Sequence, residues 1–249
     1  MPQPITILYT PLPQGSAREL HAWRSAFETA LEPWLDERQW EHVNRFGSAG
    51  QQIIEAALSR LMARAQLVTA AALSSRGAPL PQITMDSRGR PRLAGWRAAF
   101  SHSGQAAFCA LAQAEQPAAP ALGLDAEALT APPPHSSAFA AGEISAPMAL
   151  HGECLAREAL RRWTIKEALL KAAGLGLGMQ PDQVPTGRFG QRAGLWDGPL
   201  GPLGWRTVAC PAHWLCVAQT GNVPPPQICL QWHNPRDLLH RLARLRPQP

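Results

Sequence analysis

Lysine is almost missing from this sequence. Of its 23 basic residues 21 are arginine, and the two lysines, Lys166 and Lys171, lie within one six-residue window. A chain that has drifted to arginine elsewhere keeps a compact, rotatable ammonium where that group is wanted, so the window marks where chemistry is to be sought. Other scarcities exclude whole classes. No apolar run approaches the ~18 residues of a membrane helix. The apolar stretch Ile5–Tyr9 has no basic flank before it and reads as a strand, not a secretory signal. The five cysteines, at 109, 154, 210, 216 and 229, are scattered, odd in number and free of any CxxC pair. That pattern argues against a disulfide framework or a zinc site and for a reducing, cytoplasmic location. There is no GxSxG elbow either.

What is present is ordinary in bulk. The 249 residues fit one large domain or two of about 120 residues each, with a hydrophobic share of 45% and a low charged share of 16%. The net charge of +5 and pI near 9.3 call for an anionic partner: nucleic acid, a phosphorylated cofactor or an acidic protein. The arginines are dispersed apart from Arg236–Arg246, and no aromatic-interleaved basic patch supports a nucleic-acid binder.

Along the chain, apolar spacing predicts helices over Ala17–Ala30, Leu35–Phe46 and Gln51–Leu73, with a Gly/Pro-rich turn at Gly77–Pro81. Short strands flank a turn at Ser87–Pro91, and Phe100–Ala112 reads as a buried strand region. Glu115–Pro120 reads as a hinge, dividing the chain into lobes of residues 1–116 and 117–249. Ala121–Asp125 follows as a strand, then a helix over Glu158–Ala173 ended by Gly174. Strands such as Trp205–Ala209 and Trp214–Ala218 fill the last third. Phe108-Cys109-Ala110-Leu111-Ala112-Gln113 is echoed by Leu215-Cys216-Val217-Ala218-Gln219, as in an α+β chain built from two similar lobes.

Three segments carry chemistry. In Gly123-Leu124-Asp125-Ala126-Glu127 the two carboxylates are two apart at the end of a strand, so both can face one way. Mg²⁺ is commonly held by such carboxylates plus substrate phosphates, although an acidic loop after a strand would read the same. In Trp163-Thr164-Ile165-Lys166-Glu167-Ala168-Leu169-Leu170-Lys171, residues 163, 167 and 171 share a helix stripe with Lys166 beside it. A carboxylate between two ammonium groups suits a metal-bound pyrophosphate; a solvent-facing Glu167–Lys171 pair is the plainer reading. In Phe100-Ser101-His102-Ser103-Gly104, adjacent Ser and His point to opposite faces of a strand, a poor geometry for a Ser–His hydrolase. Hydrogen bonding to a phosphate or an adenine suits them better, with a buried, satisfied histidine as the alternative.

In this order and spacing the three segments resemble the Sfp-type 4'-phosphopantetheinyl transferases, which carry a SHS strand, a G-(I/V)-D-x-E strand and a W-(S/T)-x-K-E-(A/S)-x-x-K helix. Arg88-Gly89-Arg90-Pro91 looks like that family's G-K-P turn with arginine for lysine, and Phe139 to Glu143 resembles its F-x-x-x-E stretch. The resemblance covers about Leu35 to Ala218.

It implies an α+β fold of two similar pseudo-symmetric lobes, each a small, mostly antiparallel sheet with packed helices, and an active site in the cleft between them. The implied activity is Mg²⁺-dependent transfer of 4'-phosphopantetheine from coenzyme A to a serine of an acyl or peptidyl carrier protein, as in holo-acyl-carrier-protein synthases. Asp125, Glu127 and Glu167 would hold Mg²⁺, and Lys166 and Lys171 would contact the cofactor phosphates. Arg90, Ser101 and His102 would meet the nucleotide end of coenzyme A, and the loop 174–188 the carrier protein. Glu167 is the preferred general base, with Glu127 second. Where family members usually carry several basic residues for the terminal phosphate, this chain offers Arg38, His42 and Arg45 and has Glu55 near a position often basic. The expected protein is a monomer with no nucleic-acid or membrane partner. A fatty-acid, polyketide or nonribosomal-peptide carrier is left open.

Overall fold

The computed structural model describes residues 4–45, 50–75, 82–103, 105–114, 120–144 and 152–245. The expected turn at 77–81, the hinge residues 115–119 and the division between 116 and 117 lie outside these residues. The fold is α+β and has two compact units: Gln3–Ala119 with Cys229–Pro249, and Pro120–Ile228.

The first unit begins with β1 (Ile5–Pro11), followed by α1 (Ala17–Leu31), α2 (Glu37–Asn44) and α3 (Gln51–Ser74). Ser16 and Glu19 close a capping box at the start of α1, which satisfies donors the first turn leaves open. The short β2 (Thr84–Met85) and β3 (Pro91–Leu93) lead into β4 (Trp96–Ser103) and β5 (Ala106–Gln113). Phe100–Ala112, which reads in sequence as one strand region, is therefore a hairpin with Ser103 opposite Ala106. β5 is buried from Ala106 to Ala112, and the polar stretch Ser101-His102-Ser103-Gly104-Gln105 is the break in the apolar pattern before it. β10 (Ile228–Trp232) and α5 (Pro235–Arg244) complete this unit. Its sheet runs β10-β1-β5-β4-β3-β2. The sequence assigns 117–249 to one lobe, but the end of the chain belongs with the first unit: His233 N–H donates to Tyr9 O at 2.8 Å, and Leu238 and Leu242 of α5 join the core under α3.

The second unit contains β6 (Leu122–Ala128), α4 (Glu153–Ala173), β7 (Ala193–Gly198), β8 (Gly201–Cys210) and β9 (His213–Thr220). All pairs in the sheet β6-β9-β8-β7 are antiparallel. Its core packs Ile165, Leu169 and Ala172 of α4 onto Trp205, Cys216 and Ala218. Gly174 ends α4 in the left-handed region at φ 69, and Leu175 N–H returns to Leu170 O at 3.1 Å, the bond that closes a Schellman cap.

The units share an internal plan. Each has a first strand and a later helix packed on it, with two further strands in the order first, last, last-but-one: β1-β5-β4 with α3, and β6-β9-β8 with α4. The echoed segments occupy equivalent strands, β5 and β9. Cys109 pairs with Leu8 and Phe100, Cys216 with Asp125 and Thr207, and both thiols are fully buried.

Candidate active site

The second unit's site is built by one close approach. A Cβ on Gly123 would stand 2.1 Å from Ala168 O and 2.5 Å from Ala172 N. Only a glycine therefore lets the backbone of α4 lie directly on β6. From that contact β6 and α4 pack along one another. Gly123 faces Ala168 and Ala172, Asp125 meets Lys171, and Glu127 meets Trp163. From Glu158 to Ala173 the helix is buried except at Trp163, Glu167 and Lys171. These are the residues of the expected stripe.

Lys171 Nζ donates to Asp125 Oδ1 at 2.6 Å, and the carboxylate is buried. Burial alone would lower the Lys171 ammonium, but Asp125, with Glu167 and Glu127 beyond it, holds its pKa above the usual lysine value. Glu167 is raised, first by burial and then by the negative charge of Asp125, with Lys171 opposing. Trp163 Nε1–H donates to Glu127 Oε1 at 3.1 Å and fixes that carboxylate. Among the described residues no three His, Cys, Asp or Glu side chains stand together as a ready metal cluster. The donor chemistry nevertheless fits Mg²⁺. That ion takes hard oxygens from one or two carboxylates and completes its shell with waters and substrate phosphates, and Asp125 already burdens Glu167 with a like charge that a cation would relieve.

Lys166 is placed elsewhere. Five residues from Lys171, it lies about 140° round the helix, so Glu167 is not flanked by both ammonium groups. Lys166 is fully buried. Its three donors go to Glu143 Oε2 at 2.8 Å, Pro181 O at 2.9 Å and Val184 O at 2.6 Å, and it lies 5.7 Å from the centre of the Phe139 ring. Burial would raise the Glu143 carboxyl, but hydrogen bonds from Lys166 and Thr186 hold it below the ordinary carboxylate range. Beside this pair, Arg161 and Arg162 both bind Glu158, at 2.6 and 2.8 Å. Arg162 Nη1 continues to Thr186 Oγ1 at 2.9 Å.

The remaining expected residues belong to the first unit. An open cavity of about 410 Å³ there is lined by Arg38, His42, Arg45, Asp86, Ser87 and Gly89 among others. Arg90 locks the turn beneath it, with Nε 2.8 Å from Asp86 Oδ2. Ser101 is buried and His102 exposed, on opposite faces of β4 as expected. His102 is near enough to affect His42, whose pKa is lowered to about 3 by burial first and then by Arg64, Arg45, Arg60 and His102. Arg64 Nη2 donates to His42 Nδ1 at 3.1 Å, so the imidazole is a neutral acceptor there. The guanidinium of Arg64 is buried over the Phe100 ring at 5.1 Å. The cavity itself is lined by two arginines, Arg38 and Arg45, and two carboxylates, Glu41 and Asp86.

Residues 121–196, which run from β6 through α4 into β7, match the family model described as ACPS, 4'-phosphopantetheinyl transferase superfamily. The second unit carries a phosphopantetheinyl transferase superfamily domain. No curated protein matches the chain. Within the transferase domain, Glu143, Glu158, Arg161, Arg162 and Thr186 are the residues that sequence reasoning did not single out as site residues. Two signals were available. Phe139 to Glu143 already fits the F-x-x-x-E pattern, and Glu158 stands three and four residues before a pair of arginines on α4, the spacing of facing charges. Among the described residues no helix is long and apolar enough to cross a membrane.

Proposed function

We propose that this protein transfers the 4'-phosphopantetheine arm of coenzyme A to a serine hydroxyl of an acyl or peptidyl carrier protein, in the manner of a holo-acyl-carrier-protein synthase, with Mg²⁺. The observation that carries the reading is the β6–α4 arrangement inside the matched segment, in which buried Asp125 is paired with Lys171 while Glu127, Glu167 and Lys171 stay partly exposed. Asp125, Glu127 and Glu167 are the residues that would hold Mg²⁺, which when bound neutralises pyrophosphate charge and polarises the phosphorus under attack.

The chain's own residues then divide the work. Glu167, whose raised pKa makes it a better proton acceptor than an ordinary carboxylate, takes the proton from the serine Oγ. That oxygen forms the new bond to the phosphorus bearing the pantetheine arm. The bond to the bridging pyrophosphate oxygen breaks, and adenosine 3',5'-bisphosphate leaves with the electron pair. Lys171 offsets the charge that develops on the leaving phosphate, a role for a point-charge ammonium. Glu127, with its Oε1 engaged by Trp163, serves as a ligand and not as the base. In the first unit Arg45 and His102 are the candidate contacts for the phosphorylated nucleotide end of coenzyme A, with Arg90 holding the nearby turn and Ser101 on the opposite face of β4 from His102. Lys166, with all three donors engaged, holds the 181–184 segment.

The test is intact-mass analysis of an apo carrier protein incubated with the enzyme, coenzyme A and Mg²⁺. The expected product is the carrier heavier by one phosphopantetheine, and adenosine 3',5'-bisphosphate in equal amount. A carrier of unchanged mass at high enzyme concentration contradicts the proposal.

A further inference from the structure

We propose that the turn 187–191 of the second unit is a preformed docking point for a protein partner whose surface offers an apolar pocket rimmed by carboxylates. At its tip Phe189 is 56% exposed. It sits between exposed Arg188 and, at the foot of the turn, exposed Arg192. These arginines are the only charged residues between 183 and 196.

An exposed phenylalanine on a slack loop would carry no argument, but this turn is held from several sides. Gly187 and Gly190 take positive φ values of 75 and 67. Arg188 N–H donates to Gln191 Oε1 at 2.9 Å, Gln191 N–H to Arg188 O at 3.1 Å, and Gln191 Nε2 to Ala193 O at 2.7 Å. From beneath, Arg161 Nη1 donates to Gln191 O at 2.7 Å and Arg162 Nη1 to Gly187 O at 3.1 Å. Both arginines are buried and paired with Glu158, and Arg162 lies 3.6 Å from Glu143 as well. Burying guanidinium groups is a poor way to gain stability. Here their donors are aimed at the carbonyls of one surface turn, and the outcome is an apolar side chain carried into water on a held backbone.

Hot spots of protein interfaces are commonly single aromatic anchors entering a pocket, and fixing the anchor beforehand removes the ordering cost of binding. The flanking arginines set the sign of the rim on the other side and steer the encounter. The partner is identified as the carrier protein only through the function proposed above, and for that identity alone the inference rests on it.

The experiment measures binding of a fluorescently labelled apo acyl carrier protein to the full chain without coenzyme A, followed by transfer assays on the same proteins. Phe189→Ala is expected to weaken carrier binding about tenfold while leaving the melting temperature and the KM for coenzyme A unchanged. Gln191→Ala, which loosens the turn without touching the ring, is expected to weaken binding about threefold. Arg188→Glu with Arg192→Glu should lower affinity at low salt and flatten its salt dependence. Carrier binding unaffected by Phe189→Ala overturns the inference. So does a wild type that does not bind the carrier, or a Phe189→Ala change confined to self-association in sedimentation. A wild type that binds the carrier through Phe189 but adds nothing to its mass upholds the docking point and contradicts the transfer reaction.

Discussion

The two units solve opposite electrostatic problems on the same plan. In the first, the strand position beside Cys109 is Leu8, and the helix above it brings the buried Arg64 guanidinium close enough to affect that thiol. In the second, the position beside Cys216 is Asp125, and the helix brings Glu167 and Lys171 to it. One unit thus accumulates guanidinium groups around a neutral histidine. The other accumulates carboxylates around one ammonium. The first composition suits the direct binding of phosphate anions, and the second suits holding a cation that in turn binds phosphate. The difference is carried by a few side chains facing the helix, on frames whose strand order is the same.

The largest expected effect comes from removing the carboxylate that α4 brings to Asp125. Glu167→Gln keeps shape but loses charge and basicity, and turnover at saturating Mg²⁺ should fall roughly 10²–10⁴-fold. Glu127→Gln should fall less, since its expected part is that of a ligand. If Glu127→Gln is the more damaging change under those conditions, the base is Glu127.

Asp125→Leu makes the second unit resemble the first at the equivalent position. Activity should drop about 10–100-fold even at saturating Mg²⁺, because Lys171 loses its nearest anion along with the cation's ligand. Wild-type activity at limiting Mg²⁺ would remove Asp125 from the site.

Gly123→Ala tests the frame. Its Cβ would collide with backbone, not with a side chain that can swing away. We expect a loss of at least about 2 kcal/mol, seen as a fall of roughly 4–8 °C in melting temperature, together with lowered activity. An unchanged melting temperature would mean that α4 does not lie on β6 as closely as described.

These contacts mark how far the sequence could be read. The 163–167–171 stripe and the 125–127 pair were legible because helix and strand periods fix which side chains share a face. The α+β class with two lobes was legible as well. The place of Lys166 was not read correctly, although the angle of five helical residues already separates it from Lys171. The hold of Arg161 and Arg162 on residues 186–191 was hidden for another reason: their partners include backbone carbonyls, which have no sequence signature. The return of β10 to β1 was equally illegible, being a pairing across most of the chain with no local signal.

The smallest expected effect concerns the first unit. His42 has a folded-state pKa near 3 against an ordinary 6.5. A depressed pKa means that the unfolded chain takes up the proton first. The associated stability is therefore complete above pH 6.5 and is lost as pH falls from 6.5 towards 3. His42→Gln should flatten that part of the melting-temperature profile. A variant whose profile parallels the wild type would show that His42 is not held neutral by its arginines.

The most direct measurement compares wild type and Asp125→Leu in one experiment, by intact mass of an apo carrier protein with coenzyme A and Mg²⁺ in excess. A carrier heavier by one phosphopantetheine is expected with the wild type and, over the same time, a carrier of almost unchanged mass with the variant. Equal modification by both proteins, or by neither, would contradict that expectation.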